Sequence, residues 1–465
     1  MHSVQKTNQK QVITVVGCFF GDEGKGKIVD KLCDEGDFSV VARVAGGSNS
    51  AHTISIGGKK FIPHLIPSGL FSEKMICLMG NGMVIDLAFL FEEMEILKRE
   101  FDISIIKRLR ISDRAHIVFP FHKKIDFLID KRTGVRTTCQ GIGPCYSDKI
   151  SRRGIRISDL TNPQKFTERY WKMVEFHLAE FPSLSGEFDF TEILRLHLEE
   201  YAPKLESRIV DCSAYIYQSI TSGQKILVEC SQAVMLDIDH GFYPYVTSSS
   251  TSSGGAVNGL GIAPSKISTV GVVKAIITRV ASPGKLPTEF SSEDKKNIIS
   301  WTKVYPDIQK IPEIPKAGGT LMNSNTVYPE EDVLISRRFM ELDASGRPRI
   351  CGWFDCVLLK RANILNDFSY LCLNKLDCLT GLKKIKICVG YFINGHSSVN
   401  NFTENPDDVE YVEIDGWDKD ISTVQNFKSL PEQAKNFINI IEKCVDVPIK
   451  YIGIGPDRDQ ILVRD

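Results

Sequence analysis

The sequence carries almost no net charge: 57 Lys and Arg stand against 58 Asp and Glu in 465 residues, giving −1 at pH 7. Nucleic-acid binders need a basic face and anionic membranes attract polybasic stretches, so neither partner is expected. Long apolar runs are missing as well. None approaches the roughly 18 residues that a membrane helix requires. The opening MHSVQKTNQK lacks the apolar centre of a signal peptide, and residues 1–10 are expected to form a disordered tail. Cysteine is present 13 times, an odd number, yet no C-x-x-C pair occurs. Many of these thiols lie in apolar runs, such as Cys77 in MICLMG and Cys388 in IKICVGY. Reduced, mostly buried thiols are therefore expected, with neither a disulfide framework nor a zinc site. What remains is a cytoplasmic globular protein whose 42% hydrophobic content can fill one large core.

Against these absences stands a dense opening motif. The apolar run VITVVGCFF leads directly into GDEGKGK, residues 21–27. Gly21, Gly26 and Lys27 satisfy G-x-x-x-x-G-K, but Ile28 occupies the position where a phosphate loop carries Ser or Thr for magnesium. Ile28, Val29, Leu32 and Cys33 then recur at helical spacing. SVVARVAGG follows as a second strand, so the opening is a βαβ unit of a parallel sheet. Glycines and a helix N-terminus suit phosphate, and Lys25 and Lys27 add charge. Asp22 and Glu23 do not, because acids repel phosphate. Their presence calls for a metal or a proton transfer: Asp22 as a Mg²⁺ ligand or a general base, Glu23 as a cap on the helix dipole.

Further along, FIPHLIP and KMICLMGNGMVID have strand character and LAFLFEEMEILKREF is an amphipathic helix. Residues 162–223 are mostly helical by pattern, and KILVECSQAVMLDIDHG returns to a buried strand. VTSSSTSSGGAVNGLG is too small and polar for a core and reads as a mobile or ligand-ordered loop. STVGVVKAIITRVAS fits a helix or a buried strand, whereas SYLCLNKLDCLTGL and KIKICVGYFI are strand-like. The expectation is an α/β fold, P-loop-NTPase-like. A large, mostly parallel central sheet would be flanked by helices, as one domain over 11–465 with a helical insertion at about 162–223.

Asn374, Lys375, Leu376 and Asp377 spell N-K-x-D after the apolar YLCL. A carboxylate there can accept both the ring N–H and the exocyclic amine of guanine, a pair that adenine does not offer. GTP is thus favoured over ATP. A GTPase switch would share these two motifs, but it would also need the loop hydroxyl that Ile28 replaces and a D-x-x-G stretch after a strand.

Four further stretches join these: AGGSNSAHT (45–53), TTCQGIGPCYSDKISRRGIR (137–156), ECSQAVMLDIDHGFYPYVTSS (229–249) and GRPRICGWFD (346–355). In this order, and with the closing GPDR, the chain resembles the adenylosuccinate synthetase family nearly end to end. The resemblance implies GTP-dependent joining of IMP and L-aspartate, with adenylosuccinate, GDP and phosphate as products and Mg²⁺ as cofactor. It implies that Asp22 takes the N1 proton of IMP while O6 attacks the γ-phosphate, and that His52 is the proton donor beside the transferring group. A 6-phosphoryl intermediate results, which the aspartate amine displaces.

Other roles follow from the same resemblance. IMP contacts fall on Asp22, Glu23, Gly24, Lys25, Asn49, Ser50, Ala51, His52, Thr138, Gln232, Thr247, Val280 and Arg347. Arg152 matches an arginine that reaches IMP across a homodimer interface. GTP contacts fall on Gly21 to Lys27, on Ala51, His52, Thr53 and Arg349, on Lys375, Leu376 and Asp377, and on Gly453, Ile454 and Gly455. The within-loop members are Gly21, Asp22, Glu23, Gly24, Lys25, Gly26 and Lys27. Aspartate would meet the loop of Asp343, Ala344, Ser345, Gly346, Arg347, Pro348 and Arg349, whose guanidinium groups can clamp a carboxylate in bidentate fashion. Mg²⁺ would take Asp22 and the carbonyl of Ala51.

The chain departs from the family pattern at several of these places. Phe19 and Phe20 replace Q-W, Ala51 replaces a glycine, and Cys139 and Gln140 replace G-R, with loss of one phosphate-side charge. The aspartate loop lacks one hydroxyl at Ala344 and one arginine at Ile350, and Pro348 stiffens it. Affinity for aspartate is the property these changes address.

Overall fold

The computed structural model describes residues 10–56, 59–280, 285–302, 329–339 and 348–464. Residues 1–9, most of the expected tail, lie outside this set, as do Asp343, Ala344, Ser345, Gly346 and Arg347 of the expected aspartate loop.

An eleven-stranded sheet organises the chain. Its strands, in chain order, are β1 (Val12–Gly17), β2 (Phe38–Gly46), β3 (Ile76–Asp86), β4 (Leu109–Ser112), β5 (His116–Val118), β6 (Ile209–Val210), β7 (Lys225–Glu229), β8 (Ile267–Lys274), β9 (Phe368–Asn374), β10 (Ile449–Gly453) and β11 (Ile461–Val463). Their spatial order is β11-β10-β9-β8-β1-β7-β2-β3-β4-β6, with β5 beside the far half of β3. All neighbours run parallel except the terminal pair β10 and β11.

A parallel sheet is covered on both faces, which is why β1 reads as an unbroken apolar run rather than an alternating one. Successive side chains go to opposite layers. Val40 and Ala42 join one core cluster with Ile226 and Val228, while Val41 and Leu227 join the other. Helix α1 (Lys25–Glu35) packs Ile28, Val29 and Leu32 into the second cluster, and α2 (Leu87–Phe101) adds Leu87, Leu90 and Leu97. The helices Cys356–Asn366 and Glu432–Val445 cover the opposite face. A smaller four-stranded sheet is built on Lys384–Ile393. No helix among the described residues is long and apolar enough to cross a membrane.

Several expectations change. VTSSSTSSGGAVNGLG is not a loop throughout: Ser253–Leu260 is a helix with Gly255, Ala256, Gly259 and Leu260 buried. Its small residues serve close packing against the sheet. A Cβ at Gly259 would stand 2.4 Å from the Val44 carbonyl oxygen. The ambiguous STVGVVKAIITRVAS forms β8 and then the strand Ile277–Val280, which pairs antiparallel with Arg349–Gly352. FIPHLIP is strand only at its first residue, in Lys59–Phe61. Pro63 and Pro67 offer no N–H to a ladder, and the amides of His64, Leu65 and Ile66 instead donate to Glu93 on α2. Residues 162–223 are largely helical but also return to the sheet as β6.

Candidate active site

In a parallel sheet the strand C-terminal ends share one edge, where loops converge and ligands bind. The GDEGKGK loop leaves β1 at that edge. Gly24, the N-cap of α1, has φ +81°, a region that side chains disfavour, and an added Cβ would meet Asn374 Nδ2 at 2.8 Å. Asn374 ends β9 and donates from that nitrogen to the carbonyls of Glu23 (2.8 Å) and Gly24 (3.3 Å). The N-K-x-D segment therefore holds the phosphate loop by its backbone. Lys27 donates to the carbonyls of Gly455 (2.6 Å) and Gln460 (3.3 Å), which ties the loop to the segment after β10. Burial lowers the Lys27 ammonium to about 8, against the pull of Asp377 and Asp457.

The two acids of the loop diverge. Glu23 is fully buried, accepts the amides of Phe19 (3.1 Å) and Gly21 (2.8 Å), and pairs with Lys25 at 3.3 Å. It is a structural pin for the turn, more than a cap on the helix dipole. Asp22 is 47% exposed at φ +60°, and its carboxylate meets Arg349 Nη2 at 2.9 Å. What burial it has would raise its pKa, but Arg349, then Lys274, Lys375 and Lys25, hold it below the usual carboxylate range. Asp22 thus sits within a ring of cations.

His52 follows β2 and comes against the loop, where a Cβ on Gly26 would lie 2.7 Å from His52 Cβ. Its Nδ1 is bonded to Glu229, the last residue of β7, which also accepts the Ser68 amide (2.7 Å) and hydroxyl. Burial would raise the Glu229 pKa, yet His52, Arg43 and Ser68 bring it down to about 2. Burial pushes the His52 imidazole below its ordinary value, although Glu229 works against it. The arrangement is a neutral imidazole giving Nδ1–H to a carboxylate. Its Nε2, 3.4 Å from Ser50 Oγ, faces the other way.

Glu229 was not singled out in the sequence. A lone acid closing the apolar run KILVE was the available signal, since burying a charge there requires a partner. Lys274, wholly buried at the end of β8 and bonded to Thr278, was missed for the same reason.

Other expected residues surround this centre. Gln232 lies at φ +50° beside Gly46, and both atoms of its buried amide lack a protein partner. Buried amide atoms are normally hydrogen-bonded, so Gln232 is a candidate contact for a group offering both a donor and an acceptor. Asn49 Oδ1 accepts the Gly47 amide at 3.2 Å, and Ser48 Oγ reaches Gln140 at 3.4 Å, so the segments 45–53 and 137–141 adjoin. Ala51, Thr53 and Thr138 are exposed. The backbone of Thr247 is fixed by the Leu236 carbonyl at 2.8 Å. Val280 ends its strand paired with Arg349. Lys375 has φ +58°, Leu376 is core, and burial raises the Asp377 carboxyl. Gly453 packs on Asn374, and Ile454 is buried. Pro348 is buried beside Arg349. Arg152 stands apart, exposed at φ +64°.

Three comparisons bear on this geometry. A family model described as adenylosuccinate synthetase matches residues 14–462. Adenylosuccinate synthetase 2, chloroplastic, of Sorghum bicolor is 40% identical, covering 98% of this chain and 87% of that protein. The Dictyostelium discoideum adenylosuccinate synthetase is 39% identical over 97% of this chain and 98% of its own. Among solved structures, fully ligated adenylosuccinate synthetase from Plasmodium falciparum superposes with a TM-score of 0.83 at 34% identity, covering 98% of this chain and all of that one. The chain belongs to the adenylosuccinate synthetase family.

Proposed function

We propose that the chain is the GTP-dependent ligase that joins IMP to L-aspartate, releasing GDP and phosphate by way of 6-phosphoryl-IMP. One observation carries this reading: Asp22, a half-exposed carboxylate inside a phosphate loop, lies within a ring of cations and beside the loop sits a preoriented His52. Asp22 removes the N1 proton, O6 attacks the γ-phosphoryl group, and His52, once the anionic γ-phosphate draws a second proton onto its Nε2, donates from Nε2 to the developing charge. Glu229 fixes the tautomer that leaves Nε2 pointing into the site. Arg349 is the largest charge holding Asp22 acidic. Its transfer to an incoming carboxylate or phosphate makes Asp22 a stronger base as the reactants assemble.

Mg²⁺ fits the oxygen donors available here, the half-exposed Asp22 carboxylate and the carbonyl of exposed Ala51. Bound there, it would neutralise charge on the phosphates. Gln232 is assigned to the IMP base, and Asp377 to guanine. Arg152 is assigned to IMP in the second subunit of a homodimer. Its exposed, left-handed position beside Ile150, 77% exposed, suits an interface. Eleven of the thirteen cysteine side chains are buried, in keeping with a reducing cytoplasm. Ile28, in the core, leaves no hydroxyl for a GTPase-switch magnesium site.

The test supplies IMP, L-aspartate, GTP and Mg²⁺ and follows adenylosuccinate and phosphate together. Equal yields that vanish without GTP or without aspartate are expected. Phosphate released without IMP or aspartate would sink the ligase reading.

A further inference from the structure

Away from the loop, three buried side chains meet where α3 (Pro120–Thr133), α4 (Ile142–Ile150) and α5 (Pro163–Glu180) converge. Asp148 Oδ2 is 3.2 Å from His122 Nε2 and 2.7 Å from His177 Nε2. These ligand atoms lie close enough together to suggest a metal site, but their hydrogen bonds argue otherwise. The Phe119 amide donates to His122 Nδ1 at 3.0 Å, so the ring proton resides on Nε2 and points at Asp148. A metal at Nε2 would displace that proton and break the Phe119 bond. Asp148 Oδ1 is also occupied, by Arg153 Nε and Nη2 at 3.1 Å each.

The carboxylate is thus a node of four donor contacts, and its own backbone continues the pattern. The Asp148 carbonyl accepts the amides of Arg153 and Gly154, both at 2.9 Å. Main chain and side chain of one residue therefore knot the turn 151–154 onto the end of α4, while His122 and His177 anchor it to α3 and α5. Arg152 sits inside that knot in the left-handed region, at φ +64°. A non-glycine residue stays there only when its surroundings impose it.

We infer that His122, Asp148 and His177 are positioning residues that hold the 151–154 turn so that Arg152 projects from the subunit in the direction needed to meet IMP. This rests on the proposed role of Arg152. None of the contacts that make up the node involves residues 21–27, so its loss should reach the reaction through IMP alone.

The experiment measures KM for IMP and for GTP, with kcat, in the full-length enzyme carrying Arg152→Ala, Asp148→Asn, His177→Ala or His177→Gln, and Arg152→Ala combined with Asp148→Asn. Arg152→Ala should raise the IMP KM about tenfold or more, the factor for one lost charge-assisted hydrogen bond. Asp148→Asn and His177→Ala should raise it several-fold with the GTP KM unchanged. His177→Gln, which keeps a donor, should restore most of the loss, and it decides the matter if Asp148→Asn does not fold. In the Arg152→Ala background, Asp148→Asn should add nothing. An equal added effect there, or an unchanged IMP KM in both Asp148→Asn and His177→Ala, overturns the positioning role and leaves the Arg152 assignment standing. An unchanged IMP KM in Arg152→Ala itself removes that assignment and the positioning role together.

Discussion

The loop after β1 and the segment after β2 supply the two groups proposed for proton transfer, and they are held in opposite ways. His52 is buried, and its Nδ1 is fixed by a carboxylate that Ser68 also engages. Asp22 is half exposed, and its ion-pair partner Arg349 comes from a strand far along the chain. The proposed donor is oriented before any substrate arrives, as preorganised catalysis requires. The proposed base is held by a cation that anionic substrates can take. One site therefore combines a permanent partner with an exchangeable one.

Breaking the exchangeable side should have the largest effect. Asp22→Asn is expected to lower kcat by about 10²–10⁴ while the urea midpoint stays near that of the parent protein. Activity within tenfold of the parent would end the distinction, because Asp22 would then not be the base. On the permanent side, Glu229→Gln should act on both properties. A loss of about 10–100-fold in kcat is expected from a misdirected His52, with about 3 kcal/mol or more of stability lost from the broken buried pair. A change in kcat without a change in unfolding would contradict that account.

Acid should sharpen the contrast further. Burial brings His116 down to about 4, and His52 is lowered too. Between pH 6.5 and about 4 these two imidazoles bind more protons in the unfolded chain than in the folded one, so their contribution to stability falls with acidification. Buried Glu93 and Asp355, raised to about 7 and about 6, work the other way. The His116 share is on the order of 3 kcal/mol. Glu229 adds no loss in that range until pH drops below its unfolded value of about 4.5, and its contribution fades as pH nears 2. Urea unfolding of the parent and of His116→Gln at pH 7.5, 6 and 5 isolates that share, and the same pH slope in both proteins would refute it. Smallest of all, Gly259→Ala, away from both groups, should cost about 1–3 kcal/mol through overpacking against Val44. Its kcat should match the parent, which a joint assay of melting and turnover checks.

Much of the centre was legible because it is local. GDEGKGK, its preceding strand and LAFLFEEMEILKREF each declare themselves within a short window, through glycine spacing or a helical period. What escaped was contact across the fold. Glu229 meets His52 from 177 residues away. Asn374, quoted as part of a guanine motif, also clamps the backbone of Glu23 and Gly24. The glycines of 253–260 were read as loop composition because a helix pressed onto a sheet and an irregular loop both favour small residues. Only the neighbouring strand distinguishes them.

The sheet's two margins bear on how the protein behaves when crowded. One ends in the three-residue antiparallel β11, the other in β6, two residues delivered by the helical segment 162–223. An open parallel margin offers a row of free amides and carbonyls to any passing strand, a template for fibrous self-assembly. Stubs this short give little to extend. On that account residues 162–223 keep β4 from becoming a seed for aggregation.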